Sequence, residues 1–195
     1  MNTRVLLAVF KRNFVAYFTS PTGYVFICVF VLLSSIAAFL PDEFFNRNLA
    51  NLDQLNRWFP FIMLVFVPAI TMGIWADERR QGTDELLLTI PASDLDVVLA
   101  KYLAGVAIYS VSLLFSMVCN IWVLKTLGQP DTGLLIGTYA GYWLTGLAML
   151  AVGMVASFLT ANLTIAYILG GMFNAPLVLL VWADSILPDA FGGLL

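Results

Sequence analysis

The sequence predicts an all-α integral membrane protein: an N-terminal interfacial amphipathic helix followed by five transmembrane helices. Three observations carry this. The 195 residues are 61% apolar and only 11% charged, whereas a soluble domain is about 45–50% apolar and about 25% charged. The charged residues are clustered, leaving residues 13–41, 58–76, 102–124 and 132–183 with none. A bilayer core of about 30 Å takes about 20 helical residues to cross, so the first three gaps each hold one span and the last holds two. A soluble core of this size could not bury five such runs.

The same composition excludes other classes. A net charge of -3 gives no basic footprint for nucleic acid. There is no His, the commonest general base and metal ligand. The two cysteines, Cys28 and Cys119, lie inside apolar runs, which argues against a disulfide framework or a zinc site.

Residues 1–20 open the chain. Leu6, Phe10, Phe14, Tyr17 and Phe18 fall on one helical stripe, with Arg4, Ala8, Lys11 and Arg12 on the other side. That is the pattern of a helix lying in the interface with its basic face toward lipid headgroups; an ordinary basic flank of a membrane helix is the alternative. Ser20-Pro21 breaks and restarts the chain, since Ser is a favoured N-cap and Pro a favoured first helical residue. The first span covers 22–40. A cleaved signal peptide would need the apolar run to be shorter. The loop 42–58 spaces Leu49, Leu52, Leu55 and Trp58 three apart and predicts a small interfacial helix.

The second span covers 59–76. Pro68 is placed to kink it, and Trp58 and Trp75 mark its two ends as aromatic belts do. The third span covers 102–124. The fourth and fifth, 134–159 and 164–182, are separated by the polar run Thr160-Ala161-Asn162-Leu163-Thr164. Gly137 and Gly141 form a small-xxx-small pair on the fourth span and predict helix packing, within the chain in preference to between copies. Ser34, Ser35, Asn120 and Asn174 are polar groups inside spans, placed to bond across helices. No span interior carries Asp, Glu, Lys, Arg or His, the groups ion-coupled carriers use near the midplane.

Lys and Arg set the orientation. Arg4, Lys11, Arg12, Arg79, Arg80 and Lys101 fall on one side of the five-span scheme, against Arg47, Arg57 and Lys125 on the other. The positive-inside rule puts the N-terminus and the 77–100 segment in the cytoplasm. Five spans then leave the last residues, Phe191-Gly192-Gly193-Leu194-Leu195, outside, which points to a sixth helix absent from this chain.

The segment 77–100, with Lys101 at its edge, is the densest in charge: Asp77, Glu78, Arg79, Arg80, Asp84, Glu85, Asp94, Asp96 and Lys101 flank Leu86-Leu87-Leu88-Thr89-Ile90. Gly82 permits a sharp bend, Thr83 can cap a short helix from Asp84, and Pro91 ends it. Ser93 can cap the next helix, with Asp94 and Asp96 in its first turn, and Lys101 can snorkel to the interface. Two readings stand: an element that docks into a groove on a cytosolic partner, or a solvated loop whose leucines rest on lipid.

The stretch Pro68-Ala69-Ile70-Thr71-Met72, followed by Ala76-Asp77-Glu78-Arg79-Arg80-Gln81-Gly82-Thr83-Asp84-Glu85-Leu86-Leu87-Leu88-Thr89-Ile90-Pro91-Ala92-Ser93-Asp94, closely resembles the cytoplasmic signature of type-2 ABC exporter permeases. Its nearest branch looks like the gliding-motility and copper-maturation types. Tyr17-Phe18-Thr19-Ser20-Pro21-Thr22-Gly23-Tyr24-Val25 and Ser157-Phe158-Leu159-Thr160-Ala161-Asn162 are similar to the family's entry into the first span and its turn between the fourth and fifth. The chain departs at Gly73, where the family often has Arg, and at Asp84, where an apolar residue is usual.

The resemblance implies a single permease domain over 1–195, in a bacterial inner membrane. It normally has six spans and works as a homo- or heterodimer. The loop after the second span would be the coupling helix, seated in a cleft of a separate cytosolic ATPase. Glu78, Gly82, Thr83, Glu85, Leu86, Leu87 and Pro91 would form that contact, the carboxylates orienting, the leucines packing, Gly82 and Pro91 fixing the bends. The chain has no G-x-x-x-x-G-K-[ST], so ATP and Mg would belong to the ATPase subunit, with no cofactor or catalytic residue here. The resemblance fits an exporter and, as the alternative, a non-transporting anchor through which the ATPase acts on envelope partners.

Overall fold

The computed structural model describes residues 3–40, 51–83 and 93–186, excepting the side chains of Thr22 and of 181–186. Its elements are six helices: α1 (Thr3–Thr19), α2 (Pro21–Phe39), α3 (Asp53–Gln81), α4 (Asp94–Leu127), α5 (Thr132–Phe158) and α6 (Leu163–Ile186). The protein is all-α, with no strand among the described residues. Four stretches, Asp53–Gln81, Asp94–Leu127, Thr132–Phe158 and Leu163–Leu180, are each long and apolar enough to cross a membrane. The bent pair Thr3–Thr19 and Gly23–Phe39, turned by 74°, brings the number to five when counted as one span.

Local chemistry fixes the helix ends. Ser93 is the N-cap of α4, its hydroxyl accepting from the Asp96 N–H at 3.3 Å. Asp131 caps α5 by accepting from Gly133 and Leu134 N–H at 2.8 and 3.3 Å. Asn162 does the same for α6 through Thr164 and Ile165 at 2.9 and 3.3 Å. Each satisfies helix N–H groups that have no intrahelical partner.

The helices run further than the apolar gaps. α3 begins before the expected second span and absorbs 53–58, so Leu52 and Leu55 pack in the core instead of forming an interfacial helix. It also passes through Pro60 and Pro68 and continues to Gln81. α4 starts at Asp94, so most of the expected 77–100 connection is helix and only 82–93 joins α3 to α4. Charged end-turns are helical because they extend the rod beyond the hydrocarbon, where water and ion pairs solvate them; the gap in charge marks the membrane, not the helix.

α3 is the central rod and touches α2, α4, α5 and α6. Aromatic rings fill the space around it: Phe30 and Phe66 lie 4.6 Å apart, and Phe59 stacks on Tyr142 at 3.7 Å. The polar groups inside the bundle pair across helices. Ser34 and Ser116 hydroxyls are 2.7 Å apart, Ser35 donates to Asn120 Oδ1 at 2.9 Å, and Asn120 Nδ2 donates to Tyr139 at 3.0 Å. This joins α2, α4 and α5 as expected of Ser34, Ser35 and Asn120. Asn174 differs: its Nδ2 donates within α6, to the Gly170 carbonyl at 2.8 Å.

Gly137 and Gly141 do not make the intrachain packing expected of them. A Cβ built on either meets nothing within 4 Å, and both face outward. Close approach occurs elsewhere. A Cβ on Gly146 would lie 2.2 Å from the Tyr109 ring, and one on Gly153 2.6 Å from the Thr71 hydroxyl. The register of α5 turns 137 and 141 away from α3, a rotation that one pair of glycines cannot specify.

Gly146→Val should therefore destabilise the fold by about 1–3 kcal/mol, the range for forced overpacking. Gly137→Val should leave an isolated protomer unchanged. Thermal denaturation in detergent, followed by size-exclusion, reads the contrast; equal effects of the two substitutions would contradict this packing.

Candidate functional site: the α3–α4 connection

α3 leaves the bundle core at Trp75 and Ala76, both buried, and carries its last turn, with Arg79 and Arg80, beyond them. Cations there suit the negative end of the helix dipole. Gly82 then turns the chain with φ 67°, a left-handed conformation that glycine adopts without steric cost. Its N–H donates to the Arg79 carbonyl at 3.2 Å, and the Thr83 N–H donates to the Glu78 carbonyl at 2.9 Å. This pair of bonds is a Schellman cap. The Thr83 hydroxyl also donates to the Glu78 carbonyl, at 3.3 Å. Thr83 thus closes α3; the helix start expected from Asp84 lies outside the described residues.

Glu78 is the node of this end. One carboxylate oxygen accepts from Arg12 of α1 and the other from Lys101 of α4. Lys101 does not snorkel outward as expected: its side chain has no exposed area. Its ammonium also donates to the Ile74 carbonyl at 2.5 Å and sits 4.0 Å from the centre of the Trp75 ring. An ammonium has three donors, and a carboxylate, a carbonyl and an aromatic face meet it here. Trp75 is accordingly not a lipid-facing belt residue. It lies under Lys101 and edge-on to Phe158, over which Arg79 stands at 4.6 Å.

A second fastening joins α3 to α5. The Ser157 hydroxyl accepts from the N–H groups of Trp75 and Ala76 at 3.1 and 3.2 Å and donates to the Met72 carbonyl at 2.9 Å. A side chain inserted in this way into a helix ladder holds the neighbouring turn open.

Between α1, α3 and α4 lies a cavity of about 690 Å³ whose wall includes Tyr17, Gly73, Glu78, Lys101 and Gly105. The Tyr17 hydroxyl is buried there without a hydrogen-bond partner among the described residues. Burial pushes its pKa up to about 12, so it stays a neutral donor at physiological pH. Among the described residues no cluster of three or more His, Cys, Asp or Glu is placed to hold a metal. The chemistry this end offers is ionic and mechanical: two cations and a dipole gathered on one carboxylate at the root of a short connection.

Of the residues expected to form a partner contact, Glu78, Gly82 and Thr83 are brought together here, and Glu78 faces inward onto Arg12 and Lys101. Glu85, Leu86, Leu87 and Pro91 lie outside the described residues. Lys101 and Trp75 were expected at this end, but directed outward to the interface, and no contact here was expected of Arg12 or Ser157. The available signal for Lys101 was its isolation: a single cation opening an apolar run, facing a carboxylate that closes the preceding one.

Apolar rods fastened at one end around a short polar connection define a polytopic membrane domain. Residues 40–186 match the family described as ABC-2 family transporter protein, and the chain belongs to that family. No curated protein and no solved structure matches it significantly. Membership makes it a permease-type subunit of a transporter, in a membrane and associated with an ATPase subunit.

Glu78→Gln should cost about 3–5 kcal/mol, because it strands a buried ammonium. The double substitution Glu78→Gln with Lys101→Met should recover most of that loss. Arg12→Ala, at a half-exposed pair, should cost under about 1 kcal/mol. Denaturation midpoints of the purified protein give this order, and a double variant no better than Glu78→Gln alone would contradict it.

Proposed function

We propose that this chain is the membrane subunit of an ATP-driven exporter in a bacterial inner membrane. Its N-terminus is cytoplasmic, and residues 77–92 couple it to a separate ATPase that carries the ATP and Mg. The resemblance across 68–94 supports the gliding-motility and copper-maturation branch for it, acting with a second permease. The observation that carries this is the rooting of the connection. It leaves α3 through a Schellman cap on the Glu78 carbonyl and rejoins α4 at Ser93, while the Glu78 side chain ties α3 to Lys101 of α4. A connection with both ends fixed moves its two helices when it is pushed. A freely hinged loop would not.

The spans support an external motor. Interior polar groups of α2, α4 and α5 pair with one another, as Ser34 does with Ser116 and Asn120 with Tyr139, and none is a charged group of the kind ion-coupled carriers use. Glu78, occupied inside the protein, serves as a positioning residue, which leaves Glu85 as the carboxylate that orients the ATPase and Leu86 and Leu87 as the packing groups. Gly82 and Pro91 set the bends.

Combining Glu85→Lys with Leu87→Asp should abolish co-purification of the ATPase subunit while leaving helical content and monodispersity unchanged. ATP-dependent movement of substrate in vesicles should be lost in the same variant. Undiminished co-purification from a folded variant would overturn the coupling reading. Intact ATPase binding with no transport by the wild type would replace the exporter with an anchor.

A further inference from the structure

The cavity of about 690 Å³ between α1, α3 and α4 has the size of a small-ligand site, about 300–1,000 Å³. Its lining changes character with depth. Arg12, Asp77, Glu78 and Lys101 line it where the charged ends of the helices meet. Ile70 and Ile108 line it deeper in the bundle, each seven residues from Asp77 or Lys101 along its own helix, or about 10 Å at 1.5 Å per residue.

The charged lining is two cations and two carboxylates, so it suits an occupant with no net charge. Within the lining the charges are unevenly matched. Both cations go to Glu78. The Asp77 carboxylate makes no hydrogen bond or ion pair among the described residues. Gly73, one turn before it, leaves it uncovered: a Cβ built there would lie 3.1 Å from Asp77 Oδ2 and meets no other side chain within 4 Å.

Donors are left over on the facing helix. Lys101 is spent on Glu78, the Ile74 carbonyl and the Trp75 ring. Arg12 gives Glu78 one N–H and makes no other side-chain hydrogen bond among the described residues, although a guanidinium has five. The Tyr17 hydroxyl, on the same helix, has no partner. What the cavity leaves unused is a carboxylate on α3 and donors on α1. An ammonium answers the first and an oxyanion the second.

We propose that this cavity binds a zwitterion, its ammonium held by Asp77 and its oxyanion by Arg12 and the Tyr17 hydroxyl. The phosphoethanolamine diester is that chemistry, either as a free molecule or as the headgroup of phosphatidylethanolamine. The proposal concerns the cavity alone and does not rest on the ATPase reading.

The test uses the purified full chain in phosphatidylcholine nanodiscs. In one arm glycerophosphoethanolamine and glycerophosphocholine are titrated by calorimetry. In the other, phosphatidylethanolamine is doped into the discs and the thermal midpoint is followed. The two soluble probes carry the same charges, but only the first has an N–H to give Asp77. Wild type should bind it about tenfold more tightly, the scale of one hydrogen bond to a charged group. Asp77→Asn should remove that preference. Gly73→Leu, which fills the space in front of Asp77, should abolish binding. Tyr17→Phe should weaken binding about fivefold and leave the midpoint of the unliganded protein unchanged, because the hydroxyl it removes has no partner in the fold. Binding of the soluble probe assigns the site to a free zwitterion. A midpoint raised by phosphatidylethanolamine in wild type but not in Asp77→Asn, without binding of the soluble probe, assigns it to the lipid headgroup. Neither effect in folded wild type, or either effect undiminished in Asp77→Asn, would overturn the proposal.

Discussion

The Glu78 carboxylate is the interaction on which this end of the molecule depends. It gathers a cation from α1 and another from α4 onto the last turn of α3, while its own carbonyl accepts the bonds that turn the chain away at Gly82. The two functions are separable in chemistry but joined in one residue. The side chain fixes where three helices stand, and the backbone fixes where the connection leaves them. A buried ammonium is tolerable only if its donors are met. Lys101 meets that condition through Glu78, Ile74 and Trp75 together, so its burial constrains all three and holds the α3–α4 spacing.

Tyr17 Oη and Asn174 Oδ1 apart, which are buried with no hydrogen-bond partner among the described residues, the rest of the bundle obeys the constraint that hydrocarbon places on polar groups: each must find a partner inside the protein. The hydroxyls and amides of α2, α4 and α5 do so in a connected set running from Ser34 and Ser35 through Ser116 and Asn120 to Tyr139. Tyr102 and Tyr109 of α4 reach the α5 carbonyls of Leu147 and Tyr142 at 3.0 and 2.7 Å. A lattice of such bonds resists independent sliding of α4 and α5.

Much of this architecture was legible in the sequence because it rests on composition. Gaps in charge fell on the long apolar helices, and Ser93 and the polar run at 160–164 marked helix boundaries through their capping chemistry. The membership was legible through one dense stretch, 68–94. What could not be read was rotation. Whether Gly137 or Gly146 faces a neighbouring helix depends on the phase of α5, and both glycines fit a small-residue stripe. Whether Lys101 reaches out or in depends on Glu78 and Trp75 of α3 arriving beside it on α4, a coincidence in space that no spacing within one helix encodes. Helix length was underestimated for a related reason, since the charge-free window reports the thickness of the membrane and the rods extend past it.

The two fastenings at the end of α3 act in different directions, and that difference bears on how force would travel. Glu78 ties α3 sideways to α1 and α4, whereas Ser157 enters the ladder of α3 from α5 at Met72 through Ala76, one turn deeper. A push on the connection therefore meets a joint at Glu78 that moves α1, α3 and α4 as a group, and behind it a joint at Ser157 that bears on α5. The ionic joint is strong but non-directional, so it tolerates rotation. The hydroxyl wedge is weaker but has fixed geometry. In the coupling reading, the group about Glu78 would turn as one body and Ser157 would be the point at which α5 either follows or lets go.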